Sequence, residues 1–359
     1  MAGNSGRRLI GSFINCYLGC SKDKYVRWAA SSGGAVTSIL AFMLREKLID
    51  GALVVKMDGL KPKPFIAKNP DELIEAMGSK YLPIPISANL KDLLSSEGKY
   101  AIVGLPCHIR FLKRALTESK FSRKRARIVL LLGLFCCRVI SPPGFKVLLR
   151  KLNVKENEVK EFRFRGYGWP GKLYVNLIDG RSISMPFFSY WRPLYSPYFF
   201  TPRACMFCSD MTNEEADVSF GDAWLPEIMK IDSLGASIII SRTDWADEIL
   251  QEAQRKGFIK LTRIGEREVI RAQWRPLFFK KITLPMRLML MKHERYGLKI
   301  SSMGFLLSLI CAILQVTNIK FSESRLGAHI IEKMPLKLLL FYATLHAILE
   351  YLSWRQIMG

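Results

Sequence analysis

The sequence predicts an α/β protein: an N-terminal mixed or parallel sheet domain with helices, a smaller α+β domain, and a helical C-terminal tail. Three observations carry that prediction. Strand-like and helix-like segments alternate over the first 150 residues, hairpin patterning follows, and long apolar stretches flanked by basic residues end the chain. The expected units are 1–150, 151–275 and 276–359. A chain of 359 residues with 49% hydrophobic and 24% charged residues has ample material for a buried core.

The first residues, MAGNSGRRLIGSFINCYLGC, imitate an export signal, with Arg7, Arg8 and an apolar stretch running to Cys20. Asn15 interrupts the stretch, and Tyr17 stands where a small aliphatic residue belongs, so export is not the expectation. From Ala35 to Leu48 the apolar positions Val36, Ile39, Leu40, Met43, Leu44 and Leu48 have helical spacing. Before them stand Ser31, Ser32, Gly33 and Gly34. Such a segment is either an ordinary cap or a helix start whose exposed amides accept phosphate. Asp50-Gly51 then turns into a strand over Ala52 to Lys56.

Tyr100 to Cys107 reads as a strand and turn, followed by a helix from His108 to about Leu116. Cys107 is thereby placed at a helix N-terminus, where the dipole favours thiolate. Ile128 to Leu134 is a continuous apolar run, as expected of a buried parallel strand, and it ends at Phe135-Cys136-Cys137. Ligands of such sheets gather outside the carboxyl ends of strands, where these cysteines fall.

In the second unit, Leu173 to Met185 reads as a hairpin turning at Asp179-Gly180. Gly166 to Lys172 imitates a phosphate-binding P-loop, but Leu173 replaces the required Ser or Thr and a hairpin follows, so that reading is rejected. Cys205-Met-Phe-Cys208 comes next, then a short strand over Ala216 to Phe220 that runs into Gly221-Asp222. In the tail, Ile300 to Ile319 has no charged residue over 20 positions, which is transmembrane length. Ser301, Ser302, Ser308, Gln315, Thr317 and Asn318 dilute it, and Leu338 to Leu349 is too short to span. A buried or capping helical hairpin, peripheral membrane contact through residues 300–355, and a true span all stay open.

The formal charge of +23 attracts anions: a phosphorylated or carboxylate-rich redox cofactor, an acidic membrane, or nucleic acid. Arg110 to Arg127 is a dense basic stretch, opposed only by Glu118. The chain has no helix-turn-helix, finger or RRM signature, so nucleic acid is not an expected partner. Eight scattered cysteines in a chain this long are no disulfide scaffold, and they point to a reducing, cytoplasmic compartment.

Four of those cysteines carry the chemistry. Cys205 and Cys208 form a C-x-x-C pair, and Cys107 and Cys136 complete a set of four thiolates. Zinc normally takes two tight pairs, whereas a [4Fe–4S] cluster accepts scattered single ligands beside one pair. The expectation is therefore a cluster, with a zinc-stabilised membrane-surface binding protein as the alternative. Cys136 is preferred over Cys137, though spacing cannot choose between them. Cys16, Cys20 and Cys311 are expected to be structural.

Several blocks together resemble the β-subunit family of coenzyme F420-reducing hydrogenase. They are RWAASSGGAVT from Arg27 to Thr37, Gly78-Ser-Lys-Tyr81, Gly104-Leu-Pro-Cys107, Gly133-Leu-Phe-Cys136, Gly168-Trp-Pro-Gly171, and CMFCSDMTNEEADVSFGD from Cys205 to Asp222. The resemblance runs from about residue 10 to 275. It implies an FAD in the N-terminal domain beside a [4Fe–4S] cluster held by Cys107, Cys136, Cys205 and Cys208. It also implies flavin contacts from Ser32, Gly33, Gly34 and Thr37, and from Gly78, Ser79, Lys80 and Tyr81. Lys80 suits the flavin pyrophosphate or the N1–C2 carbonyl region of the ring. Asp222 is expected to hold the cluster-bearing loop by hydrogen bonds rather than to move a proton. The implied activity is hydride transfer between coenzyme F420, or a similar donor, and FAD, with electrons relayed through the cluster to an acceptor; a ferredoxin-like donor would instead supply single electrons. A non-catalytic electron-transfer subunit of a larger redox complex is the alternative. The chain lacks a C-x-x-C-x-x-C-x-x-x-C run, so the additional ferredoxin domain of some relatives is not expected.

Overall fold

The computed structural model describes residues 3–117, 126–291 and 303–358. The middle of the expected basic stretch, 118–125, and the first positions of the expected apolar run, 300–302, lie outside the described residues.

Among the described residues, runs of β-branched and aliphatic residues become eleven strands. These are β1 (Asn15–Ser21), β2 (Gly51–Asp58), β3 (Lys61–Ala67), β4 (Gly98–Gly104), β5 (Ala126–Leu134), β6 (Val159–Gly166), β7 (Lys172–Leu177), β8 (Ser182–Pro186), β9 (Val218–Asp222), β10 (Ser237–Ser241) and β11 (Ile259–Ile264). Eight of them form one sheet in the order β11-β1-β10-β9-β5-β4-β2-β3. The pairs β2–β4, β4–β5 and β5–β9 are parallel, and the remaining neighbours are antiparallel. The fold is thus the expected mixed α/β arrangement.

Successive side chains of a strand point to opposite faces, and each face builds its own core. Leu130, Leu132, Val54 and Ile239 meet Ile39, Phe42 and Met43 of the helix Ala35–Arg45 on one side. Leu131, Leu53 and Ile102 meet Leu90, Ile109 and Leu112 on the other. Both faces of the sheet are covered, which is why the strands read as continuous apolar runs.

The sheet crosses the boundary expected at residue 150. Strands β9 to β11 pair with β5 and β1, because β10 has no exposed face: Ile239 completes the first core, and Ile238 and Ile240 enter another on the opposite side. The three-stranded sheet β6-β7-β8 stands apart as an insertion. Its expected hairpin turn falls between β7 and β8. The rejected P-loop is the β6–β7 turn, where Gly166 pairs with Lys172 across the ladder.

The tail is helical. Met303–Glu323, Arg325–Lys333 and Leu336–Met358 follow one another, and Ile331 and Leu339 join the core of the small sheet. One expectation is corrected here. The stretch judged too short to span belongs to a 23-residue helix, because Glu350, which ended the apolar run in sequence, is buried and paired with Arg275 at 2.6 Å.

Candidate functional site

Parallel pairing sends β4 and β5 toward the same edge, so the turns that follow them are neighbours. Cys107 lies in the first turn of the helix Pro106–Thr117, and Cys136 follows β5 by two residues. The third turn is pulled alongside. Phe135 N donates to Phe220 O (2.7 Å), and Cys136 N donates to Met211 O (2.9 Å), which stitches the loop after Cys208 to the loop after β5. Cys205 sits in the short helix Arg203–Phe207, and Cys208 ends it.

Asn213 fastens these turns together. Its Nδ2 donates to Gly104 O (2.9 Å) and to Leu134 O (3.3 Å), the last residues of β4 and β5. The residue is fully buried and holds φ 59°, a left-handed conformation that Asn tolerates better than most. Gly133 is required beneath it, since a Cβ there would stand 2.5 Å from Asn213 Cγ.

The thiols feel one another. Burial pushes the Cys107 thiol up, and Cys208 and Cys205 push it further. Burial likewise drives Cys136 far up, against the pull of Lys280 and with further pressure from Cys205, Cys137 and Cys107. Cys137 accepts from Arg138 Nη1 at 3.3 Å and lies near Tyr198 as well as near Cys136 and Cys205. Among the described residues no group of three or more His, Cys, Asp or Glu side chains is arranged to hold a metal ion.

Lys280 decides what the thiol cluster fits. It is 1% exposed, lies in a π-helical turn over Phe278–Ile282, and donates from Nζ to Cys205 O at 3.5 Å. Burial lowers its ammonium, but Cys208, Cys136, Cys137 and Cys205 more than offset this and leave it raised. A buried ammonium is tolerated when an anion compensates it. The groups around it are thiols, which compensate it only when ionised, so the donor set fits a centre that binds them as thiolates.

The expected flavin residues fall in two adjoining turns. Gly33 (φ 67°) and Gly34 (φ 72°) open the helix Ala35–Arg45, and a Cβ on either would stand 2.9 Å from Ala236 or Val26. Ser32 Oγ donates to Ala236 O (2.9 Å) and Ser237 Oγ donates to Ser32 O (2.5 Å), tying this turn to β10. Ser79 N donates to Ser31 Oγ (2.8 Å), which brings Gly78 to Tyr81 beside it. Thr37 is half-buried on the first turn of the helix. Lys80 folds back, with Nζ donating to Ala76 O and Met77 O (3.2 Å). Burial and the charge of Arg163 bring its ammonium down to about 7. Tyr81 packs against Trp191, centroid to centroid 4.5 Å, and against Phe164 at 5.6 Å.

Asp222 closes the edge. Arg165, 1% exposed, donates from Nη1 (2.8 Å) and Nη2 (2.6 Å) to the two Asp222 oxygens. Trp169 Nε1 donates to Oδ1 at 3.2 Å, and Gln273 Nε2 donates to the Asp222 carbonyl at 2.5 Å. The carboxylate therefore braces the small sheet and the Gly168–Gly171 turn against β9.

The family described as coenzyme F420 hydrogenase/dehydrogenase, beta subunit N-term, matches residues 16–91, and the one described as its C terminus matches 97–267. The chain belongs to this F420 hydrogenase/dehydrogenase β-subunit family. It is 29% identical over 264 residues to the coenzyme F420 hydrogenase subunit beta of Methanothermobacter thermautotrophicus, covering 72% of this chain and 87% of that one. The F420-dependent sulfite reductase of Methanocaldococcus jannaschii is 29% identical over 65% of this chain and 36% of its own length. In fold the chain resembles one from the F420-reducing [NiFe] hydrogenase complex of Methanosarcina barkeri. The TM-score is 0.60 at 22% identity, over 79% of this chain and 94% of that chain.

The family match ends at 267, and Lys280 lies beyond it, as does the whole tail. Sequence reasoning missed Lys280, Arg165 and Asn213. For Lys280 the available signal was weak: a Lys-Lys pair directly after Phe278 and Phe279, which sets charge against a buried aromatic pair. For Arg165 and Asn213 the partners are 57 and 109 residues away, and nothing local marks them.

Proposed function

We propose that this family member is a flavin- and [4Fe–4S]-dependent oxidoreductase of a reducing, cytoplasmic compartment, exchanging hydride between coenzyme F420 or a similar donor and FAD. The observation that carries this reading is the buried Lys280 ammonium beside the thiols of two separate turns, that of Cys136 and that of Cys205 and Cys208, in a chain whose relatives are F420-linked oxidoreductase subunits. When bound, the flavin would supply hydride chemistry at N5 and the cluster would pass single electrons to an acceptor.

In this reading Cys107, Cys136, Cys205 and Cys208 hold the cluster. Ser32, Gly33, Gly34 and Thr37 receive the flavin phosphates at the helix start. Gly78, Ser79, Lys80 and Tyr81 form the adjoining wall, with Lys80 supplying charge that favours reduced flavin. The formal charge of +23 favours an anionic donor.

Protein purified without oxygen and analysed for iron, flavin and visible absorption tests the reading. About four irons and one FAD, bleached on titration with reduced F420, are expected. Colourless protein, or protein carrying stoichiometric zinc, overturns it. The neighbour from a hydrogenase complex favours a second reading, an electron-transfer subunit whose partner performs the terminal chemistry. Co-purification of a second redox chain, with F420 oxidation only in its presence, would distinguish the two.

A further inference from the structure

The last helices are packed inside out. Met303–Glu323 and Leu336–Met358 run antiparallel, joined by a Ser308 Oγ to Ser353 Oγ hydrogen bond (2.7 Å) near one end and by Tyr342 OH donating to Asn318 Oδ1 (2.7 Å) near the other. The buried side sets polar groups among apolar ones such as Ala312, Ile319 and Ala343. Ser308, Gln315, His346, Glu350 and Ser353 are all at most 3% exposed, and Gln315 Nε2 donates to Glu350 Oε1 at 2.9 Å. The outward side is apolar. Leu338, Phe341, Leu345, Ile348 and Leu352 recur at alternating steps of three and four, one continuous stripe, and each is at least half exposed. On the other helix Met303, Leu306, Ile310 and Ile313 repeat the pattern.

A helix facing water carries the reverse arrangement, with its apolar stripe toward the core. Polar residues turned to the protein interior and aliphatic residues turned outward are what a hydrocarbon environment selects. Both helices are long and apolar enough to cross a bilayer. Neither is free to do so, because their other faces are held to the body. Leu339 sits in the core of the small sheet, and Cys311 and Trp354 in the core with Phe278.

We propose that the outward face of this hairpin lies flat on an anionic lipid surface, as a monotopic attachment. Charge argues for lipid over a second protein. Lys320, Arg325, Lys333 and Lys337 are exposed at the turn end of the hairpin and outnumber the exposed Glu323 there, and among the described residues none of the four forms an ion pair. Apolar side chains bordered by unpaired cations match the acyl boundary below anionic headgroups. The attachment would bring the cofactor-bearing body to the bilayer without threading the chain through it.

Flotation of the full chain with liposomes tests this. Vesicles of phosphatidylcholine alone are compared with vesicles containing about one third phosphatidylglycerol, at low and high salt, for wild type, Phe341→Gln/Leu345→Gln and Lys333→Gln/Lys337→Gln. Wild type is expected to float with the anionic vesicles, less so at high salt. Both variants should lose on the order of ten-fold in affinity while keeping the wild-type melting temperature. If the first variant fails to fold, the lysine variant, altered only at exposed positions, still reads the surface. Absence of flotation at low salt overturns the proposal. So does flotation unchanged in both variants, which would place the attraction elsewhere on this basic chain. A dimer in light scattering that Phe341→Gln/Leu345→Gln dissolves would assign the face to a second copy instead.

Discussion

Replacing Asn213 tests whether one buried amide holds three cysteine-bearing turns together. In Asn213→Ala the carbonyls of Gly104 and Leu134 lose their shared donor. Two such bonds are worth about 1 kcal/mol each net, and more where the abandoned acceptor stays buried. Alanine must also take φ 59°, which costs about 1–2 kcal/mol. Among the described residues Asn213 Oδ1 has no partner, so its removal gives up no hydrogen bond and returns only part of the loss. The expected destabilisation is about 3–4 kcal/mol, a large part of the ~5–15 kcal/mol typical of a folded protein. Asn213→Gly keeps the backbone conformation and isolates the hydrogen bonds. Urea denaturation gives the free energies, and iron content per chain after anaerobic reconstitution reads the geometry of the thiols. A loss below about 1 kcal/mol with wild-type iron loading in Asn213→Ala would refute the clamp.

Two further outcomes follow from the same edge. Asp222→Ala leaves the Arg165 guanidinium buried and uncompensated, and should cost about 3–5 kcal/mol in urea denaturation. Arg165→Met/Asp222→Leu should recover much of this, and a near-neutral Asp222→Ala would show that the pair is no brace. Lys80, lowered to about 7 from 10.5, is charged in the unfolded chain but largely neutral in the folded one between those values. Folded protein binds fewer protons there, so the wild type should gain stability relative to Lys80→Met as pH rises from 7 toward 10. An anionic flavin beside Lys80 would restore its charge. Calorimetry of FAD binding at pH 8, in buffers of differing ionisation enthalpy, should therefore show uptake of close to one proton. No buffer dependence would remove Lys80 from the flavin site.

Local signals made much of this legible. β4 and β5 were readable because a strand buried on both faces must be apolar throughout, and Gly-Leu-Pro-Cys and Phe-Cys-Cys mark where each run stops. The glycines before Ala35 were readable because only glycine fits so close to Ala236 and Val26 at positive φ. What stayed hidden depends on distant pairing. β5 finds its parallel neighbour β9 across the whole small sheet, so the single large sheet could not be inferred from a change of character at residue 150. Glu350 looked like the end of an apolar helix because its partner, Arg275, is 75 residues earlier.

That last pairing changes what the tail is. Arg287 donates from Nη2 to Met206 O (3.3 Å), inside the C-x-x-C turn, and from Nη1 to Thr283 Oγ1 (2.6 Å) and Gln315 Oε1 (3.0 Å). Gln315 passes its amide to Glu350, and Glu350 accepts from Arg275 Nε (2.6 Å), whose Nη2 returns to Ser196 O (3.0 Å). Burial pushes the Glu350 carboxyl up, but Arg275 and His346 outweigh this and hold it down at about 2. Polar groups this deeply buried are expensive unless every member is satisfied. The expense makes sense if the network has to fix the hairpin against the cysteine turns rather than simply cover them. A helical pair with an apolar outer face and a polar inner one is therefore coupled, bond by bond, to the edge where the thiols of Cys205 and Cys208 stand.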